Sequence, residues 1–310
     1  MSWWRGFESF IRPNAPLAGM TTYRVGGSAE LLAEPTDVAC LGALLVRAAD
    51  ENIPVRLLGG GSNVLIADTG VRGLVIHLPR TAFGSCSQNE DCILVGAGHS
   101  LPTLVNWTAA QGLRGLECLR GVPGTVGAAI RMNAGGKYGE IARYVRRVRG
   151  FEGDGRPFNL TADECEFEYR NSNLRDRIVT ECELQLSAGD PQLSRYLTQI
   201  ILREKSETQP LQVRSAGCVF KNPQQPDVPP AGRLIDEAGL KGWRVGGASV
   251  SRLHANFLIC EGQTTADDLA QLIRLIRQRV YAAREVKLEL EVNAWGFEPE
   301  ELQPPNWKVA

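Results

Sequence analysis

Hydrophobic positions along this chain recur with two periods. Between residues 37 and 51, Leu41, Leu44, Leu45 and Ala48 fall three and four apart, which predicts an amphipathic helix. From Ala266 to about Arg284, Leu269, Leu272, Ile273, Ile276 and Val280 repeat that stripe, and Thr265 followed three positions later by Asp268 supplies a capping-box start. Ser100 ahead of Leu101-Pro102 predicts another helix start, with Gly112 as its stop. Residues 193–204 predict a further helix bridging two parts of the chain. Short apolar runs predict strands at 29–35, 54–58, 64–66, 74–76, 93–95, 145–151, 165–169 and 178–186. In residues 287–292, Leu288, Leu290 and Val292 alternate with Lys287, Glu289 and Glu291, the pattern of a half-buried strand with a polar outer face.

Two glycine clusters interrupt these elements. Gly59-Gly60-Gly61-Ser62-Asn63 follows a strand but lacks the Gly-Lys-Ser/Thr of a P-loop, and it runs into apolar β-branched residues rather than a helix. Consecutive glycines can turn several backbone N–H groups toward one anion; a tight turn between strands is the alternative. The second cluster, Gly121-Val122-Pro123-Gly124-Thr125-Val126-Gly127, leads into a short stretch of small residues that lets a bulky ligand approach the backbone. Close helix–strand packing is the alternative there. Both clusters in one half of a chain point to a diphosphate-bearing cofactor.

Composition narrows the class. The 310 residues carry 34 basic and 35 acidic side chains, with 43% hydrophobic and 22% charged residues. A disordered chain or a coiled-coil rod is excluded, and near-neutral charge argues against nucleic acid as the main partner. The eight cysteines form no Cys-x-x-Cys pair, and three histidines provide no zinc spacing, so no metal site is expected. Absence of a signal-peptide core or a long apolar run leads us to expect a cytoplasmic protein with reduced thiols and no membrane association. Length predicts two or three domains, and the change of pattern from Gln209-Pro210 onward puts a break near residue 200.

A family resemblance rests on motifs in order. Thr21-Thr22-Tyr23-Arg24-Val25-Gly26-Gly27, both glycine clusters and Met132-Asn133-Ala134-Gly135-Gly136 resemble the flavin domain of UDP-N-acetylenolpyruvoylglucosamine reductases. Tyr169-Arg170-Asn171-Ser172, Ser215-Ala216-Gly217-Cys218-Val219-Phe220-Lys221-Asn222-Pro223, His254-Ala255-Asn256-Phe257 and Leu290-Glu291-Val292 continue it, over about residues 18–296. The resemblance implies an α+β fold: a vanillyl-alcohol-oxidase-type FAD-binding domain over residues 1–200, with two α+β subdomains at about 18–80 and 81–200, followed by a smaller substrate-binding domain over 201–310. It implies FAD and NADPH as cofactors and UDP-N-acetylglucosamine enolpyruvate as substrate, reduced to UDP-N-acetylmuramate for peptidoglycan. Short spacing after Tyr169-Arg170 resembles the subgroup without a substrate-covering tyrosine insertion.

The same resemblance implies residue roles. Gly59, Gly60, Gly61, Ser62, Asn63, Gly121, Pro123, Gly124, Thr125 and Gly127 would bind the flavin, and Tyr169, Lys221 and Asn222 the substrate. Arg170 and Glu291 would stabilise developing negative charge, and Cys218 would protonate. A guanidinium can grip a carboxylate bidentately, although Arg170 on a strand would share a face with Glu168 and pair with it instead. Near a carboxylate, Glu291 needs a raised pKa; a solvated polar face is its ordinary fate, with Glu289 as the internal control. Cys218 replaces the commoner Ser, and a thiol is much more acidic than a hydroxyl. Asn293 stands where many relatives carry Arg. His254 is expected to be a packed residue. Another flavoenzyme on this scaffold and a non-catalytic nucleotide-sugar binder are the competing readings. Oligomeric state, nicotinamide preference and the parts played by Trp3, Trp4 and the tail after Phe297 are left open.

Overall fold

A computed structural model describes residues 2–304. The chain divides into two compact units, Met1–Asn14 with Glu30–Gly60 and Gly73–Lys205, and Ala15–Ala29 with Gly61–Arg72 and Ser206–Ala310.

In the first unit the organising element is a five-stranded antiparallel sheet, ordered Pro157–Thr161, Val145–Phe151, Ile178–Gln185, Cys92–Gly96 and Cys86–Asn89. Alternation sets which face is buried: Val148, Cys182, Leu184, Ile93 and Val95 are all sealed from solvent. The helix Leu101–Ala110 adds Leu101, Leu104 and Val105 to the same core cluster, its first turn capped by the Ser100 hydroxyl. The helix Val38–Asp50 buries its predicted stripe, with the Asp37 carboxylate accepting from the Cys40 amide at 2.7 Å. Strand Val55–Leu58 runs parallel to Val71–His77 and delivers the chain to Gly59. Trp3 and Trp4 pack against this core, and Arg47 donates to the Trp3 carbonyl.

One strand expectation fails here. Residues 165–169 form no ladder: a 3₁₀ turn at Asp163–Cys165 ends in left-handed Glu166, and Glu168 bridges Asn171 across a tight turn with Arg170 at φ 55°. The apolar–polar alternation there reflects a turn with Cys165 buried, not a strand.

The second unit holds a three-stranded antiparallel sheet, Arg244–Val245, Ala248–Val250 and Leu258–Cys260, and the helix Ala266–Arg284. The predicted capping box is present, with Asp268 accepting from the Thr265 amide at 3.0 Å. The Asp68 carboxylate also accepts from the Ala266 and Asp267 amides at 3.1 Å each, meeting the orphan donors of that first turn. Strand Val64–Ile66 runs parallel to Asn293–Trp295. Residues 287–292 keep their alternation of buried Leu288 and Val292 with exposed Lys287 and Glu289, but they make only an isolated bridge, Leu290 to Phe220. The predicted helix 193–204 is the middle of Pro191–Thr208. Among the described residues no helix is long and apolar enough to cross a membrane.

Candidate active site

In the first unit the two glycine clusters meet backbone to backbone. A Cβ on Gly60 would lie 2.6 Å from the Gly124 Cα, and one on Gly59 would lie 2.9 Å from the Thr125 Oγ1. Only glycine permits this approach. Gly121 and Gly124 also sit at φ 81° and 108°, where a side chain is strained. The loop is pinned from behind by Leu101 N donating to Gly124 O, Val126 N to His99 O and Gly127 N to Ala97 O. Among the described residues, the loop hydrogen bonds leave the amides of Gly59, Gly60, Gly124 and Thr125 without a backbone acceptor. Such a set of amides suits a pyrophosphate, so these residues fit the diphosphate of a dinucleotide cofactor. Gly61, Ser62 and Asn63 belong to the second unit, where Gly61 O accepts from Thr22.

Arg170 is carried on the 168–171 turn, and Met132-Asn133-Ala134-Gly135-Gly136 is what holds that turn. Buried Asn133 donates to both Glu168 O and the Glu140 carboxylate at 3.0 Å and accepts from the Ala142 amide. The Arg170 guanidinium donates to Gly135 O at 2.9 Å and lies 5.4 Å from the Tyr169 ring centroid. The left-handed backbone takes Arg170 off the strand face on which it was expected to share a side with Glu168.

Sequence reasoning missed a second cation in this unit. Lys205 donates to Arg120 O at 2.6 Å and approaches the Tyr138 ring at 5.8 Å. Burial pushes its pKa down; Cys118 opposes the shift, and the nearby positive charge of Arg170 adds to it. The signal available in the sequence was a single Lys near the end of an amphipathic helix, indistinguishable from a solvated face.

In the second unit, Cys218 and Glu291 are brought onto neighbouring segments 73 residues apart in sequence. The Glu291 amide donates to Val219 O at 2.8 Å, Lys221 N donates to Glu289 O at 2.9 Å, and Cys218 bridges Phe257. Cys218 and Glu291 are both half-buried, whereas the Glu289 side chain is 77% exposed and lies 3.7 Å from Lys221. Gly217, at φ 77°, turns the chain just before the thiol, and a Cβ there would meet nothing within 4 Å. Burial pushes the thiols of Cys118, Cys165 and Cys260 up to about 11, and that of Cys182 upward as well, so these are poorer acids than an ordinary thiol.

The tail of the first glycine cluster is bolted to Glu291. Asn63 donates its side-chain amide to Glu291 O at 3.0 Å and accepts at its own carbonyl from both the backbone and the side chain of Asn293, each at 3.1 Å. Asn293 therefore has a defined structural part in this chain. Asn222 accepts from the Ala231 amide at 3.1 Å, at the start of the helix Ala231–Glu237. His254 packs edge-on against Phe257, and burial pushes its pKa down, as expected of a packed histidine.

Comparison with known proteins sets this geometry in a family. Residues 209–295 match the pattern described as UDP-N-acetylenolpyruvoylglucosamine reductase, C-terminal domain, and residues 29–161 match an FAD binding domain. The UDP-N-acetylenolpyruvoylglucosamine reductase of Synechococcus sp. (strain WH7803) is 41% identical over 294 residues, spanning 93% of this chain and 94% of the relative. A second such reductase, from Symbiobacterium thermophilum, is 42% identical over 291 residues, spanning 93% of each. The crystal structure of UDP-N-acetylenolpyruvylglucosamine reductase from Thermus caldophilus aligns with a TM-score of 0.79 at 39% identity, covering 92% of this chain and 100% of that one. The fold is thus α+β with an FAD-binding domain, and the chain belongs to the UDP-N-acetylenolpyruvoylglucosamine reductase family.

Proposed function

We infer that the protein reduces UDP-N-acetylglucosamine enolpyruvate to UDP-N-acetylmuramate with NADPH, a step in peptidoglycan precursor synthesis. FAD, when bound, would supply hydride-transfer chemistry, with NADPH as the reductant. The glycine clusters at 59–63 and 121–127 hold it. Saturating the vinyl ether adds a hydride at the terminal methylene carbon and a proton at the carbon bearing the ether oxygen. Between those events, negative charge spreads over that carbon and its carboxylate, and preorganised donors must meet it. Arg170 grips the carboxylate, with its guanidinium pre-aimed by Gly135 O and the Tyr169 ring. Glu291, in its acid form, donates to the same charge. The Cys218 thiol delivers the proton. Tyr169, Lys221 and Asn222 line the substrate's path. A reducing compartment, the cytoplasm, suits a chain whose cysteines are all free thiols.

The observation that best supports these roles is the 2.8 Å bond from the Glu291 amide to Val219 O, one residue from Cys218. Anaerobic single-turnover spectroscopy tests the reading. In Cys218→Ala, NADPH should reduce the flavin at the wild-type rate, whereas reoxidation by the enolpyruvyl substrate should slow by about 10²–10⁴-fold. Cys218→Ser should keep substantial activity with a shifted pH profile. Wild-type reoxidation in Cys218→Ala would remove the thiol from the mechanism, and a purified protein that takes up no FAD would remove the flavin.

A further inference from the structure

Residues 218–221 have the position of a strand but almost none of its ladder. On one side they meet residues 289–292 through the Phe220–Leu290 bridge, with Val219 O accepting from Glu291 N. On the other side the Cys218–Phe257 bridge is isolated, and the next pairing is made by a side chain. Asn256 is 2% exposed; its Oδ1 accepts from Phe220 N at 2.9 Å and its Nδ2 donates to Phe220 O at 2.7 Å. Its own carbonyl accepts from Val219 N at 2.9 Å. One primary amide thus presents the same donor–acceptor pair that a neighbouring strand would offer.

Asn256 itself is held still. Its amide donates to His254 Nδ1 at 3.2 Å, the Ser251 hydroxyl accepts from Leu253 N and His254 N, and Ser251 N donates to Phe257 O at 2.9 Å. Phe220 is fully buried, with Arg277 6.0 Å from its ring centroid and donating onward to Leu288 O at 3.0 Å. Cys218, Val219 and Phe220 are therefore gripped between a rigid turn and the segment that carries Glu291.

Resting on the roles proposed above for Cys218 and Glu291, we propose that Asn256 is a positioning residue for the protonation step: its side chain replaces a missing strand and fixes the Cys218 thiol in register with Glu291. On this edge that amide adds two hydrogen bonds to the Cys218–Phe257 bridge and the Val219 amide, and so helps to set the register of residues 218–220. Small displacements of a reacting group are costly, because proton transfer needs near-contact geometry.

Half-reactions and a double-mutant cycle test this. Asn256→Ala should reduce its flavin with NADPH at the wild-type rate but reoxidise it about 10–100-fold more slowly. Its reoxidation should also show a larger solvent deuterium isotope effect, since protonation becomes limiting. In a Cys218→Ala background, Asn256→Ala should add little further loss. Equal slowing of both half-reactions, a wild-type reoxidation rate, or full additivity with Cys218→Ala would each overturn the proposal. Should Asn256→Ala fail to fold, Asn256→Ser, which keeps a donor and an acceptor in the pocket, is judged by the same three measurements. Cys218→Ala alone remains the separate check on the donor, so failure of that assignment and failure of the Asn256 role are told apart.

Discussion

The five-stranded sheet of the first unit and the Cys218–Glu291 region of the second solve one problem by opposite means. In the sheet, register is carried by continuous ladders: Ile178–Gln185 pairs on one side with Val145–Phe151 and on the other with Cys92–Gly96, five or more residue pairs each. Around Cys218 the ladder is reduced to two isolated bridges, and asparagine side chains, Asn256 on Phe220 and Asn63 on Glu291 O, do what backbone would do elsewhere. Continuous ladders resist any single side-chain change, because most of their hydrogen bonds are independent of side-chain identity. A region tied by side-chain amides is more exposed to mutation, since removing one partner leaves a buried group unsatisfied. In exchange, it leaves reactive side chains on segments outside any continuous ladder.

The sharpest way to exploit that contrast is to remove one charge-stabilising side chain from each region. Arg170→Ala, in the first unit, and Glu291→Gln, in the second, should each slow flavin reoxidation by roughly 10²–10³-fold, the size expected for loss of one preorganised charge-stabilising group. NADPH-dependent flavin reduction should be unaffected in both. Thermal unfolding should stay within a few degrees of wild type, because neither side chain is part of a hydrophobic core. If either variant loses both half-reactions together, its effect is on the cofactor site and the assigned role fails.

What was legible in the sequence follows the same division. Helix starts at Asp37, Ser100 and Thr265 are each realised as side-chain caps, because a cap needs only residues three positions apart. Strands at 145–151 and 178–186 were visible because both are buried on one face for most of their length. Residues 165–169 misled: an apolar–polar alternation of five residues is too short to distinguish a strand from a 3₁₀ turn followed by the Glu168–Asn171 turn. Residues 287–292 have the alternation of a strand but only an isolated bridge of its ladder, which periodicity alone cannot separate. The Asn63–Glu291 bond joins residues 228 positions apart, and the Asn256–Phe220 pair joins residues 36 apart. No local pattern encodes such partners. Lys205 escaped for a different reason, since what distinguishes it is burial and the nearby Arg170 charge, both tertiary properties.

A smaller effect should separate the cofactor cradle from the chemistry. Gly60→Ala places a methyl group 2.6 Å from the Gly124 Cα, a backbone atom that cannot swing aside as a side chain would. The two loops must part, at about 1–3 kcal/mol as for other overpacked sites. FAD retention on dilution, followed by flavin fluorescence, should fall roughly tenfold or more. At saturating FAD the reoxidation rate should return close to wild type, because residues 218–220 and 289–292 are untouched. A Gly60→Ala protein that retains FAD normally would mean that the glycine contact serves packing alone.

The smallest effect is expected two residues from the largest. Glu289 and Glu291 point to the same side of one segment, yet Glu289 is 77% exposed with Lys221 at 3.7 Å, while Glu291 is half-buried and its carbonyl is held by Asn63. An exposed ion pair at that distance contributes about 0–1 kcal/mol, because water screens it and two long side chains must be ordered to form it. Glu289→Gln should therefore leave both half-reactions within about twofold of wild type and move stability by less than about 1 kcal/mol. The comparison isolates position from chemistry: the substitution is the same one made at Glu291, on the same segment and the same face, and differs in what surrounds the carboxyl. If Glu289→Gln slowed reoxidation as strongly as Glu291→Gln, the loss would belong to the charge of the whole segment or to the Lys221 pair. The special role given to Glu291 would then have to be withdrawn.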